Sequence, residues 1–427
     1  MKSMLKISTF KVDCTPPENF PIGFGMDGSQ ATIRDPLYLR GLVLDNGESR
    51  ALIASLDYCG LMNSAYDHLV AAFAQSIGAP QKQVVVHCVH QHDTPLLNFE
   101  LADLLGGVPF PLEWWTELVN DCAMAAKKSL IDLTEAASVG HAEQRLFGFA
   151  SNRRILGEDG KVRAMRFSRS GDESLKSEPV GTIDPMLRTL AFRDFQGDLL
   201  CSMSFYATHP QVSNGRQMYS ADAEGEALNR LESDRPDGLH LYFSGPFGNV
   251  TAGKYSSSTD LEGNVTHFGE KLATGILRNL GNMSWENAET FEWVSGGFPF
   301  PREDLDVETL KAFVRDEDVP FGKRIVKAAV LSSYMYGKNT SYPVDLLKIG
   351  TNRLLFLSGE PFVEYQLYAQ SLIPDEFIAS VANCNDNFLY LPLAENFPEE
   401  GYEVTSFRWC TPDFESRFKK HIASLLT

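Results

Sequence analysis

The sequence is short of several things that would place it quickly. Its seven cysteines (Cys14, Cys59, Cys88, Cys122, Cys201, Cys384, Cys410) include no Cys-x-x-Cys pair. That excludes a thiolate zinc ribbon and argues against a disulfide framework, so reduced thiols are expected. Positive charge is scarce: 38 Lys and Arg face 56 Asp and Glu, a formal net charge of -18. Such a surface repels nucleic acid and anionic membranes. No apolar run approaches the ~20 residues that span a bilayer. The opening MKSMLKISTFKVDC lacks the apolar core of a secretion signal, so a cytoplasmic location is expected. No Gly-x-Ser-x-Gly elbow is present, which counts against a serine nucleophile on a strand-to-helix turn. Histidine is also rare, with nine in 427 residues, yet three of the nine lie between His87 and His92.

What remains is an ordinary globular composition, 43% hydrophobic and 22% charged. Length alone suggests about two to three domains. Three hairpins punctuate the chain. The first pairs LRGLVL with RALIASLD across Asp45-Asn46-Gly47-Glu48, the second pairs LRTLAFRD with LLCSMSFYATH around Gly197, and the third pairs VDLLKIG with RLLFLSGE across Thr351-Asn352. Each second strand runs out to a polar residue: Asp57, His209 and Glu360. Helical patterns follow, including SAYDHLVAAFAQSIG with Ser64 as expected cap and Gly78 as stop. The tract from Phe298 to Asp318, rich in proline and acid, reads as a connection or lid, and Ser168 to Glu178 as an exposed loop. The expectation is an α/β protein of mixed sheets flanked by helices, forming one catalytic unit over residues 1–427, with its site at the strand ends.

The stretch QVVVHCVHQHDTP carries the strongest chemical signal. Val84 to Val86 read as a buried strand that breaks into His87, His90 and His92. On a strand, residues two apart share a face, so His90 and His92 are expected to point together and His87 away. A hydrolytic zinc site takes three protein ligands from imidazole and carboxylate and leaves one position open. His90, His209 and Glu360 would supply such a set, although the residues alone do not single out Glu360 among the acids. His92 stands ready to take or relay a proton. A metallo-β-lactamase pattern would need a histidine after Asp93, and none is there.

In order along the chain, these motifs resemble those of the catalytic domain of the neutral/alkaline, non-lysosomal ceramidases, which are zinc amidases. Ile22-Gly23-Phe24-Gly25, Ser55-Leu56-Asp57, Val89-His90-Gln91-His92-Asp93-Thr94-Pro95, Asn152-Arg153-Arg154, His209 with Ser220-Ala221-Asp222, Ser358-Gly359-Glu360-Pro361 and the stretch from Tyr390 to Tyr402-Glu403 carry the likeness. The resemblance implies zinc held by His90, His209, Glu360 and Tyr390, with His92 as the proton-transfer base. It implies Arg153 and Tyr402 near the oxyanion, and Gly23 near the substrate. Where those proteins carry a serine considered catalytic, this loop reads Gly248-Asn249-Val250-Thr251-Ala252-Gly253-Lys254. Thr251 then takes the serine's place, with Asn249 and Lys254 as substrate contacts. The ceramidases continue into an immunoglobulin-like domain, which this protein is expected to lack.

The expected function is zinc-dependent hydrolysis of an amide-type bond in a small polar or N-acylated molecule. Lys254, Arg153 and Arg154 favour an anionic or polyhydroxylated one. The alternative is a metal-binding descendant that holds a sugar or other polar metabolite without cleaving it.

Overall fold

A computed structural model describes residues 4–18, 20–23, 32–107, 112–215, 218–337, 339–385 and 388–427. The first hairpin shows how local sequence sets the plan. Asp45 Oδ1 accepts from the Gly47 amide at 2.7 Å and Asn46 Oδ1 from the Ser49 amide at 2.8 Å, while Gly47 takes φ 82°. A side chain would strain that last position. The turn fixes Tyr38–Asp45 antiparallel to Arg50–Leu56. Register then sorts the side chains. Leu39, Val43, Leu52 and Ala54 pack under helices Asn63–Ile77 and Leu112–Ser129, while Leu42, Leu44, Ala51 and Ile53 face the rest of the molecule. Both faces are covered, so these strands read as continuous apolar runs rather than alternating ones.

The same unit occurs three times. In each, a hairpin leads into a helix, which returns to a strand lying parallel to the second hairpin strand. Arg50–Leu56 thus pairs with Val84–Cys88, Leu199–Tyr206 with Leu239–Ser244, and Asn352–Leu357 with Phe377–Val381. A further strand, Lys6–Asp13, Ser138–Arg145 or Glu292–Pro299, flanks each hairpin antiparallel on its first strand. The inner faces of all three sheets meet in one core, with Ile53 and Val85 from the first, Phe205 and Phe243 from the second, and Phe356 and Val381 from the third. Mixed sheets flanked by helices are thus observed as expected. No disulfide joins the seven cysteines, all buried. Among the described residues no helix is long and apolar enough to cross a membrane.

Several local expectations need correcting. The first long helix starts at Asn63 after Met62 and has no side-chain cap, so Ser64 does not cap it, whereas Gly78 ends it at φ 67° as read. The strand before His209 stops at Tyr206, and that before Glu360 stops at Leu357. The tract from 298 to 318 holds a helix, Val307–Arg315, capped by Asp306. A single turn, Glu173–Ser177, interrupts the expected loop and buries Leu175. Val314 joins an apolar cluster with Ile325 and Ala328, and Leu175 alone is buried in the short turn, so each segment packs despite its charge.

The three parallel strands converge on His87. Its Nδ1 donates to the Ala382 carbonyl at 2.7 Å, and its Nε2 accepts from the Ser244 amide at 3.0 Å. The ring is fully buried against Phe243 and points away from His90, as the strand spacing predicts. Burial lowers its pKa to about 3, only partly offset by the Ala382 bond. The sign of the linkage follows. Above the unfolded pKa near 6.5 both states are neutral, and as pH falls toward 3 only the unfolded chain takes the proton. This ring should therefore cost up to about 1.4 kcal/mol of stability per pH unit across that window. Urea titrations between pH 7 and pH 4 should show His87→Asn less stable at pH 7 yet less acid-sensitive than wild type. An unchanged pH slope would contradict this assignment.

Candidate metal centre

The strand Val84–Cys88 hands over to an irregular turn before either of the next two histidines. His90 lies at φ 78°, a left-handed conformation that costs a residue with a side chain energy and persists only where its surroundings enforce it. Here the Val89 and His90 amides donate to the Leu56 and Tyr58 carbonyls, each at 2.9 Å. His90 and His92 meet, ring centroids 5.0 Å apart, because the chain turns and not because a strand continues. Gln91, between them, is tied down by the buried Asp57 at 3.1 Å, which itself pairs with Arg40 at 3.0 Å.

Residues from all three units converge on this turn. The Nε2 atoms of His90 and His209 lie 3.7 and 3.1 Å from the two oxygens of Glu360. The Tyr390 hydroxyl is 3.4 Å from His209 Nε2. Glu360 and Tyr390 are brought together by a two-residue parallel pairing, Glu360–Pro361 with Tyr390–Leu391. The nitrogens of His90, His92 and His209 all lie within 4.8 Å of one another. Backbone carbonyls set the tautomers: Cys59 O takes the His90 Nδ1 proton at 2.5 Å and Val250 O that of His209 at 3.0 Å. Both Nε2 lone pairs are thereby turned toward the Glu360 carboxylate, the arrangement seen in metal-ligating histidines.

The electrostatics agree. Burial pulls the Glu360 carboxyl up, but His90, His209 and Arg153 outweigh it and hold the group well below the usual range. Burial, then Arg153, lowers His209 to about 4, against the opposing pull of Glu360. His92 is kept neutral first by burial and then by His90 and His209, and its buried Nε2 has no hydrogen-bond partner. Two imidazoles with aligned lone pairs, a carboxylate, a phenol and one orphaned nitrogen form a donor set that fits a metal cation.

Arg153 stands behind His209, its Nη1 3.5 Å from His209 Nε2 and its guanidinium stacked 5.2 Å from the Tyr390 ring. It is fully buried. Burial opposes its charge, but Tyr390 and Glu403 more than compensate and raise its pKa. A cavity of about 430 Å³ opens in front of the histidines. Gly23 and Tyr402 line it, together with Ile22, Ile325, Leu389 and Phe407. Phe24 and Gly25, named with Gly23 in the sequence reading, fall outside the described residues.

The glycine-rich loop does something the sequence did not reveal. Asn249 O accepts from the Arg153 amide at 2.9 Å, Val250 O holds His209, and the Gly248 amide donates to Pro361 O at 3.0 Å. One short loop therefore sets the backbone under three site residues. Its side chains are engaged elsewhere. Thr251 is wholly buried and donates to Arg166 O at 2.8 Å. The Asn249 amide spans Glu364 and the Val363 amide at the start of helix Val363–Leu372. Lys254 caps the Lys176 and Glu178 carbonyls at 2.5 and 2.6 Å. None of the three lines the cavity. Arg154 is likewise committed, to Glu399, Glu400 and Glu403. Two of the three basic groups that favoured an anionic substrate, Lys254 and Arg154, are thus engaged within the protein.

No family model matches the chain. Its structure, however, follows that of neutral ceramidase from Pseudomonas aeruginosa with a TM-score of 0.75, over 100% of this chain and 74% of that one, at 14% identity. The chain has the ceramidase fold. A ceramidase solved in complex with C2 gives a TM-score of 0.74 over 99% of this chain and 75% of that one, at 15% identity. The resemblance read from the motifs is borne out at the level of the ceramidase fold. At this identity most side chains differ, and a shared fold does not by itself carry a function.

Proposed function

We propose that this protein is a metal-dependent hydrolase, with zinc the preferred ion, that cleaves an amide-type bond in a small N-acylated molecule. The convergence of His90, His209, Glu360 and Tyr390 on one point, at the floor of a cavity, carries this reading. These four would hold the ion, which when bound supplies a water acidic enough to attack at neutral pH. His92, neutral and on the cavity side, receives the proton and returns it to the departing nitrogen. Arg153, with Tyr402 beside it, offers positive charge and a phenol to the oxygen that becomes negative.

The wall of Ile22, Ile325, Val326, Leu389 and Phe407 accepts an acyl group rather than a sugar. It therefore supports the N-acylated half of the expectation and weakens the sugar-binding alternative. A direct test combines elemental analysis with release of aminocoumarin from N-acyl conjugates of two to ten carbons. About one metal per chain and chelator-sensitive turnover that peaks at a short or medium acyl length are expected. Protein without stoichiometric metal, or turnover indifferent to chelator, would refute the proposal.

A further inference from the structure

Glu403 is fully buried, lies next to Tyr402 and carries two ion pairs. Its Oε1 takes Arg153 Nε at 2.7 Å and its Oε2 takes Arg154 Nη1 at 2.8 Å. Arg154 in turn holds Glu399 Oε2 at 3.0 Å and the Glu400 carbonyl at 2.9 Å. The pinned segment is strained, with Glu400 at φ 61° and Gly401 at φ 92°. A non-glycine residue keeps that conformation only where its neighbours enforce it.

The consequence falls on Arg153. Its Nε is committed to Glu403, its Nη1 faces His209 and its guanidinium also engages the Tyr390 side chain, while Nη2 is buried with no close hydrogen-bond partner of its own. Its guanidinium lies among the rings of Tyr390, Tyr402 and Phe167. Those rings shield the cation but offer it no second ionic anchor. A buried guanidinium with an unused donor costs stability unless that donor meets a ligand.

We propose that Glu403 is a positioning residue: with Arg154 it forms a clamp that orients Arg153 so that its unused Nη2 meets an anionic oxygen at the floor of the cavity. The proposal extends the hydrolase reading and rests on it for the identity of that oxygen. The same clamp sets Tyr402 on the cavity wall, because Tyr402 opens the turn that carries Glu403.

The test compares wild type, Glu403→Gln and Glu403→Asp, each assayed for metal content. Hexylphosphonate, a tetrahedral anion on an apolar tail, is titrated calorimetrically, and kcat and KM are measured with N-hexanoyl aminocoumarin. Glu403→Gln should keep the metal, bind the phosphonate at least tenfold more weakly and lose kcat about thirtyfold with KM within threefold. Glu403→Asp, which keeps the charge but shortens the reach, should fall between. Phosphonate affinity of Glu403→Gln within twofold of wild type, or no phosphonate binding to wild type, overturns the proposal. If Glu403→Gln does not fold, Glu403→Asp decides, and wild-type affinity there overturns it as well. Absence of turnover in wild type would remove the hydrolase reading, while the phosphonate comparison still judges the clamp.

Discussion

Glu360→Gln is expected to leave the protein without stoichiometric metal and to lower turnover by at least ~10³-fold, the largest functional loss of any single change described here. Glutamine keeps the shape of the side chain, and its amide N–H can donate to the His209 Nε2 lone pair, so the substitution isolates the charge. That charge faces His90, His209 and Arg153 together. Opposite unit charges 4 Å apart at an effective dielectric near 20 attract by about 4 kcal/mol, already close to three powers of ten in affinity. A divalent ion feels more. Elemental analysis after dialysis against submicromolar zinc reads the result. In chelator, where no ion is present, urea should still unfold the variant more easily than wild type near pH 7, because the lowered pKa of Glu360 means that the fold favours its charged form. Wild-type metal stoichiometry in Glu360→Gln would remove the carboxylate from the ligand set and leave His90, His92 and His209 as the remaining group.

Much of the architecture could be read from the sequence because it is written in local signals. The turn at Asp45 to Glu48 and the apolar hairpin strands announce themselves within ten residues. The polar residues that follow each second strand, Asp57, His209 and Glu360, also marked where three sheets would meet. What was hidden depends on long-range packing. Nothing local distinguishes Tyr390, in NFLYLPL, from a core aromatic; its hydroxyl reaches His209 only because a two-residue ladder pairs it with Glu360. His90 and His92 looked like neighbours on a pleat, and their true relation needs a left-handed residue that tertiary contacts impose. Lys254 and Arg154 looked free for substrate, yet carbonyls and carboxylates far away in sequence consume them. Glu403 carried no signal beyond its place after Tyr402, since a buried acid is recognisable only once its partners are in view.

The glycine loop gives the second large effect. Gly248→Ala is expected to destabilise the protein by about 1–3 kcal/mol, the usual cost of overpacking, and to weaken metal binding at the same time. A Cβ at residue 248 would sit 2.5 Å from the Glu360 carbonyl, 2.9 Å from Phe362 Cδ1 and 3.2 Å from the Pro361 carbonyl. Two of those three neighbours are backbone, and that backbone is held by the ladder to Tyr390, so it has no rotamer through which to yield. Relief requires the Glu360 strand to move away from the loop, and the loop also anchors His209 and Arg153. The glycine is thus demanded by the close approach of two segments of the chain and not by a phosphate or a nucleophile. Gly322→Ala is the matching control, because that residue also borders the cavity but a Cβ there meets nothing within 4 Å. Near the start of a helix it should leave stability level or slightly improved. Urea unfolding in chelator isolates the packing cost from any metal contribution: Gly248→Ala should lose stability there, whereas Gly322→Ala should not. Equal stability of Gly248→Ala and wild type would mean that the loop yields to the added methyl, and that the closeness of 248 to 360 does not set the position of the carboxylate.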